Sequence, residues 1–165
     1  RAAKVALKIN GKTVGEAAPK NDCVVRFSCT YEDGTVEAVS YDAAGNEIGR
    51  TALHTANTET QLCLVPEEET VRPGGLAFVQ LRYTDENGTV KSLERGTVTV
   101  KVRGGTLLGL GSACAYSERG YLSDTTDTYF GEALAVVRAD TDADTVELTA
   151  ADGTHNAACC IPCKE

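Results

Sequence analysis

Five dipeptides set the limits on what this chain can become: Asn10-Gly11, Asp33-Gly34, Gly45-Asn46, Asn87-Gly88 and Asp152-Gly153. Each supplies the positive φ angles that a tight reversal demands, so each predicts a point where the chain doubles back. Between them lie short runs in which apolar residues recur at every second position. They are Val5-Leu7-Ile9, Val36-Ala38-Ser40, Phe78 to Tyr83, Val98-Val100-Val102 and Val146-Leu148-Ala150. A period of two places alternate side chains on opposite faces of a strand. Short strands at this turn spacing predict an all-β chain folded as immunoglobulin-like β-sandwiches. Glu132 to Ala139 is ambiguous on composition, because Glu, Ala, Leu and Arg favour helix.

The polar stretch Ala56 to Thr60 separates a strand ending at Leu53-His54-Thr55 from one beginning at Gln61-Leu62, which predicts two domains, 1–57 and 58–165. The second holds roughly seven to nine strands, as a complete immunoglobulin-like sandwich requires. The first holds about five. The chain has no Met and opens at Arg1 in mid-pattern. It is therefore expected to be a piece of a longer polypeptide, its first domain truncated at the N-terminus.

A formal charge of −8 argues against nucleic acid as a partner, which needs clustered Lys and Arg to displace counterions from phosphate. No apolar run approaches the roughly 20 residues that span a bilayer, so no membrane partner is expected. The seven cysteines are odd in number and fall in strand-like runs. Cys23, Val25, Phe27 and Cys29 share one face of a two-residue period, so Cys23 and Cys29 are predicted to be buried small hydrophobes. Cys159, Cys160 and Cys163 with His155 make half a zinc site, but a structural site takes four ligands in separated pairs, so no metal is expected there. Reduced strand cysteines fit a cytoplasm, with an extracellular location as the alternative.

No catalytic constellation emerges. Glycoside hydrolysis needs two carboxylates flanking the scissile bond. The acidic runs Glu67-Glu68-Glu69 and Asp140 to Asp144 read instead as solvated loops. His54 and His155 lack a Ser and Asp arranged around them. Gly109-Leu110-Gly111 lacks the third glycine of a dinucleotide fingerprint, and reads as a close backbone approach at a strand end. Asp124, Asp127 and Asp140 to Asp144 offer oxygens for calcium, without the spacing of a known calcium loop. No cofactor is expected. Tyr116, Tyr121 and Tyr129 cluster around one long loop, a candidate carbohydrate contact through ring stacking. Against that stands a plainer reading, with Tyr129 packed under the loop and the other two exposed.

Leu107 to Ala113, the loop Cys114 to Thr128, Tyr129-Phe130-Gly131 and Ala133 to Ala139 follow one another in a distinctive order. That order resembles the C-terminal domain of glycoside hydrolase family 2 enzymes, the β-galactosidase and β-glucuronidase group. There a strand end of the type LLGfGSa precedes a polar loop, an aromatic-Gly pair and a strand like ALAVVRA. Cys114-Ala115 stands where relatives often carry proline. Leu7 to Gly15, LKINGKTVG, resembles the FLNGKSLG hairpin of the preceding domain, and Tyr31 to Ala56 resembles a YepGeLkAvaY strand pair with its closing TA. The resemblance makes Glu132 to Ala139 a strand. It implies a non-catalytic C-terminal region of a bacterial β-galactosidase-like enzyme, whose catalytic glutamates sit in an upstream barrel. Its implied role is to buttress that barrel or mediate subunit contacts, so the implied partners are the rest of the parent glycosidase, further copies, and carbohydrate. An adhesion repeat of a bacterial surface protein would share the sandwich, the turns and the acidity, and stands as the alternative.

Overall fold

The computed structural model describes residues 1–164; Glu165, which closes the predicted 58–165 domain, lies outside the described residues. Among the described residues all twelve regular elements are strands, and they form three antiparallel four-stranded sheets. The chain divides into two compact units, Arg1–Thr55 and Ala56–Glu165.

The first unit is one sheet in the order β2-β1-β3-β4, built from β1 (Lys4–Ile9), β2 (Lys12–Ala17), β3 (Thr35–Tyr41) and β4 (Glu47–His54). Asn10 and Gly11 take φ angles of 49° and 79°, and so close the β1–β2 hairpin as their chemistry predicts. The register pairs Val5 with Ser40, Leu7 with Ala38 and Ile9 with Val36, which gathers the predicted apolar alternation on one face. The opposite face holds the buried pair Ala6 and Val39 among charged side chains. Arg50 donates to Glu37 at 2.6 Å and to Glu47 at 2.9 Å, and Lys4 donates to Glu16 at 3.1 Å.

Residues 18–34 are irregular and form no strand, which corrects the expected Cys23 to Cys29 strand. Cys23 sits in a turn closed by its own N–H on the Lys20 carbonyl, with φ at 58°, and both Cys23 and Cys29 are exposed. The alternation survives at its centre only. Val25 and Phe27 are half-buried and line a cleft of about 530 Å³ with Val5, Leu7 and Ala38. The Phe27 ring lies against Gly15, where a Cβ would stand 2.8 Å from Cδ1.

The second unit is a two-sheet sandwich. One sheet runs β5 (Gln61–Pro66), β6 (Leu76–Thr84), β10 (Glu132–Ala139), β8 (Gly105–Gly111). The other runs β12 (Asn156–Pro162), β11 (Thr145–Ala151), β7 (Thr97–Arg103), β9 (Thr125–Asp127). Taking β5, β6, β8 and β10 as A, B, D and E, and β7, β11 and β12 as C, F and G, gives the immunoglobulin constant-type order, with β9 added beyond C. Val79 and Leu81 of β6 and Ala135 and Val137 of β10 meet Val98, Val146 and Leu148 of the facing sheet in one buried apolar core. Glu132–Ala139 is a strand, as the resemblance implied. Its odd-numbered residues Ala133 to Ala139 are all buried, so the pleat and the core override the local helix preference.

Candidate functional site

The same alternation that fills the core leaves a second row of side chains on the outer face of the β5-β6-β10-β8 sheet. Phe78 lies opposite Val136, Gln80 opposite Leu134, and Arg82 opposite Glu132. On the next strand, Gly109 stands opposite Val136 and Gly111 opposite Leu134. Two glycines where neighbouring strands carry side chains make room for Tyr121, whose ring sits over Gly111 and whose carbonyl lies near Gly109, and an open groove of about 720 Å³ runs beside it.

Tyr121 and Phe130 wall this groove. The Leu110 N–H donates to the Tyr121 carbonyl at 2.8 Å, which fastens the loop to β8. The Tyr121 ring then lies on Gly111, where a Cβ would collide with Cδ1 and Cε1. The close backbone approach predicted at Gly109-Leu110-Gly111 is therefore made by an aromatic residue of the following loop. Across the groove, Tyr129 and Glu132 exchange backbone hydrogen bonds of 2.9 and 3.1 Å around a two-residue reversal. Its central residues Phe130 and Gly131 have φ of 51° and 77°, the pattern of a type I′ turn. Asn-Gly is the usual occupant; a phenylalanine at positive φ costs about 1–2 kcal/mol. Phe130 holds that conformation while more than half exposed, its ring edge-to-face with Tyr129 at 4.5 Å.

Polar groups interrupt the apolar floor in two pairs. Arg82 donates through Nε to Glu132 at 2.8 Å, and Gln80 donates through Nε2 to Glu67 at 3.1 Å. Glu67, Gln80, Arg82 and Glu132 all line the groove.

The three tyrosines singled out in the sequence divide. Tyr121 and Tyr129 line the groove, whereas Tyr116, 90% exposed, lines an adjacent cleft with Arg95, Glu118, Asp127 and the other side of Tyr129. Phe130 and the polar ladder were missed. Phe130 carried a readable signal, since an aromatic-Gly pair ahead of a strand occupies a hairpin position.

Several of the remaining candidates are engaged within the protein. Asp127 accepts from Thr97 at 2.5 Å and from Arg119 at 3.1 Å; the Thr97 bond first, then Arg119, holds its carboxyl below the usual range against partial burial. Asp124 accepts from Thr125 at 3.0 Å. His54 lies 3.0 Å from the Thr35 hydroxyl in the first unit. His155, in the second, stacks edge-on against Tyr83 and lies 2.9 Å from Asp152. Among the described residues no group of three or more His, Cys, Asp or Glu side chains is placed to hold a metal ion. The cysteines are free thiols, with Cys159 half-buried and Cys160 exposed on β12. Burial pushes the Cys159 thiol up.

Comparison with known families and structures places these features. The family described as glycoside hydrolase family 2 C-terminal domain 5 matches residues 62–158, and a domain of unknown function (DUF4982) matches residues 1–49. No curated protein matches the chain. A glycosyl hydrolase family 2 member from Bacteroides cellulosilyticus is similar in fold over 97% of this chain and 23% of its own, with a TM-score of 0.89 and 24% identity. A β-glycosidase from Bacteroides vulgatus is similar over 98% of this chain and 21% of its own, with a TM-score of 0.87 and 17% identity. A β-glucuronidase from glycoside hydrolase family 2 is similar over 99% of this chain and 18% of its own, with a TM-score of 0.79 and 19% identity. The chain thus spans less than a quarter of the length of each of these glycosidases.

Proposed function

The chain belongs to the glycoside hydrolase family 2 C-terminal domain 5 family, and from that premise we propose that it serves as a non-catalytic accessory region of a β-galactosidase-like glycosidase, working with the rest of that enzyme in carbohydrate breakdown. The observation that carries this reading is the joint pattern of the matches. A C-terminal domain family covers the second unit, and the fold of nearly the whole chain recurs as a minor part of much longer glycosidases. The same matches favour it over an adhesion repeat.

The role is architectural. In the second unit, the carboxylates nearest an open groove are held by neighbours, Glu132 by Arg82 and Glu67 by Gln80. A general acid and a nucleophile or base would instead face a sugar from two sides. Large apolar side chains stand out from both units, among them Leu53 on β4 at 76% exposure and Leu93 and Leu122 at 91%. Surfaces of this kind suit contacts with a catalytic barrel or with a second copy. The Leu107 to Ala139 motif order resembles both the β-galactosidase and the β-glucuronidase members of the family, and a β-glucuronidase stands among the structural relatives.

Assay of the purified chain against chromogenic β-galactosides and β-glucuronides tests the non-catalytic assignment, and no turnover is expected. Turnover that follows the chain through purification and disappears in Glu132→Gln or Glu67→Gln overturns it. The polypeptide upstream of Arg1 tests the parentage: a barrel with two catalytic glutamates supports it, and a tandem array of similar sandwiches refutes it.

A further inference from the structure

We propose that the groove over Gly109 and Gly111 is a binding site for a neutral saccharide, with Phe130 and Tyr121 as its stacking walls and the Arg82–Glu132 and Gln80–Glu67 pairs as its hydroxyl-binding ladder. A pyranose ring presents an apolar C–H face and a rim of hydroxyls that both donate and accept. A site for it therefore needs flat aromatic surface beside planar side chains whose hydrogen-bonding edges are already fixed. This groove supplies both within one strand pair and its flanking turns. Arg82 and Glu132 hold one another at 2.8 Å, and Gln80 and Glu67 at 3.1 Å, so these four groups are restrained within the groove they line. That restraint removes much of the ordering cost that weakens binding by long side chains.

The walls are positioned by backbone contacts. Gly111 gives the Tyr121 ring its seat, and the Leu110 N–H holds that residue's carbonyl in place. Phe130 keeps a left-handed backbone conformation with its ring more than half in solvent. The type I′ reversal between Tyr129 and Glu132 sets that conformation, and it places the ring in the lining of the groove. The groove's volume of about 720 Å³ falls within the range of small-molecule sites, roughly 300–1,000 Å³.

Charge selects the class of sugar. The groove's charged side chains are Glu67, Glu132 and Arg82, so carboxylates outnumber cations, and the one guanidinium is already committed to Glu132. The chain as a whole carries −8. A uronic acid would bring a further carboxylate into this field, whereas a neutral hexopyranoside meets no repulsion. This site is independent of the accessory role proposed above, and the absence of saccharide binding would leave that role standing.

The experiment is titration of the isotopically labelled full chain with lactose and cellobiose, two neutral β-linked disaccharides, and with methyl β-glucuronide, read by amide and side-chain NMR shifts. Lactose or cellobiose is expected to shift Gly109, Gly111, Phe130 and Leu134 together, and the glucuronide to bind at least about tenfold more weakly. Tyr121→Ala and Phe130→Gly should each lower the neutral sugar's affinity about tenfold, the scale of one ring's stacking contribution. Phe130→Gly is the sharper variant because glycine accepts the turn's φ freely, so its melting temperature should hold or rise while binding falls. Absence of groove shifts with both neutral disaccharides overturns the proposal, as do shifts confined to another surface. Unchanged affinity in both wall variants, or a preference for the glucuronide, does the same.

Discussion

The Tyr83 hydroxyl donates to Asp152 Oδ2 at 2.6 Å, tying β6 of one sheet to the β11–β12 turn of the other across the end of the sandwich. Asp152 also accepts from the backbone N–H groups of Thr154 at 2.8 Å and His155 at 2.6 Å, so one carboxylate shapes the Asp152-Gly153 turn and clasps the opposite sheet. Gly96 leaves room for the clasp, since a Cβ there would run into the Tyr83 hydroxyl. Tyr83→Phe keeps the ring and deletes the donor, and is expected to cost about 1.5–3 kcal/mol, the range for a hydrogen bond to a charged group. Asp152→Ala loses the turn contacts as well and should cost more. Urea denaturation of the two variants and their double mutant gives the coupling directly, and a coupling near zero would show that the clasp adds nothing to the turn.

The same pair makes stability depend on pH at both extremes. Partial burial pushes the Asp152 carboxyl up, but the His155 backbone N–H, the Tyr83 hydroxyl, the His155 ring and the Thr154 N–H together hold it well below the ordinary carboxylate range. A depressed folded value means stability that is present above the unfolded pKa of about 3.9 and lost as pH falls through the folded one. Burial, followed by the bond to Asp152, raises the Tyr83 phenol above its usual range. That stability is full below the unfolded pKa of about 10 and is lost as pH rises through the folded value. Denaturant midpoints of the second unit should therefore fall below about pH 4 and again above about pH 10. Tyr83→Phe should flatten the alkaline limb, and an alkaline limb that survives in that variant would assign the effect to other groups.

How far this architecture could be read beforehand depended on whether a feature was local. Asn10-Gly11 and Asp152-Gly153 act through their own φ angles, so they announced their hairpins directly. Val98, Val146 and Leu148 gave themselves away by alternation, because a period of two fixes the face. Cys23 and Cys29 misled for the same reason: alternation reports facing, but a buried strand also needs a partner, and residues 18–34 have no ladder. The groove was only half legible. Tyr121 and Tyr129 stood out as aromatics near a long loop, whereas Arg82 and Glu132 are 50 positions apart and meet only through the β6–β10 register. Phe130-Gly131 marked a hairpin position ahead of a strand, whereas the left-handed φ of 51° at Phe130 itself had no signature in the sequence.

Asp85 carries a device the polar Ala56 to Thr60 stretch did not disclose. Its buried carboxylate accepts from the Asn57 N–H at 2.9 Å and from the N–H groups of Asn87 and Thr89 at 2.9 and 2.8 Å. Lys91 Nζ closes the strap, donating to the carbonyls of Thr58 and Glu59 and to the Thr60 hydroxyl. The bond from Asn57 foremost, against burial and with help from Thr89 and Asn87, keeps the Asp85 carboxyl below its usual range. Asp85→Ala and Lys91→Ala should each expose the bonds between residues 56 and 60 to limited proteolysis, with the second unit's melting temperature only modestly lowered. Equal cleavage rates in wild type and both variants would mean that the strap does not restrain this segment.

The two units are built on very different amounts of buried apolar surface, and their stabilities should separate. In the first, Ala6, Ile9 and Val39 are the buried apolar residues among those described, and every residue of β4 is exposed. In the second, one continuous core runs from Leu62 to Ile161 and includes fully buried Leu81, Leu110, Leu148 and Val146. Each large buried aliphatic side chain contributes about 1.5–3 kcal/mol relative to exposure, so the first unit should open at far lower free energy. Native-state hydrogen exchange is expected to show fast exchange across β1 to β4, fastest at the β4 edge, and slow exchange at Val98, Val100, Ala135 and Val137. Phe27 packs onto Gly15 and lines the cleft over Val5, Leu7 and Ala38, so Phe27→Ala should accelerate exchange in β1 and β2 while leaving β7 and β10 unchanged. Uniform protection across both units in a monomeric sample would show that the first unit draws stability from something other than its buried side chains.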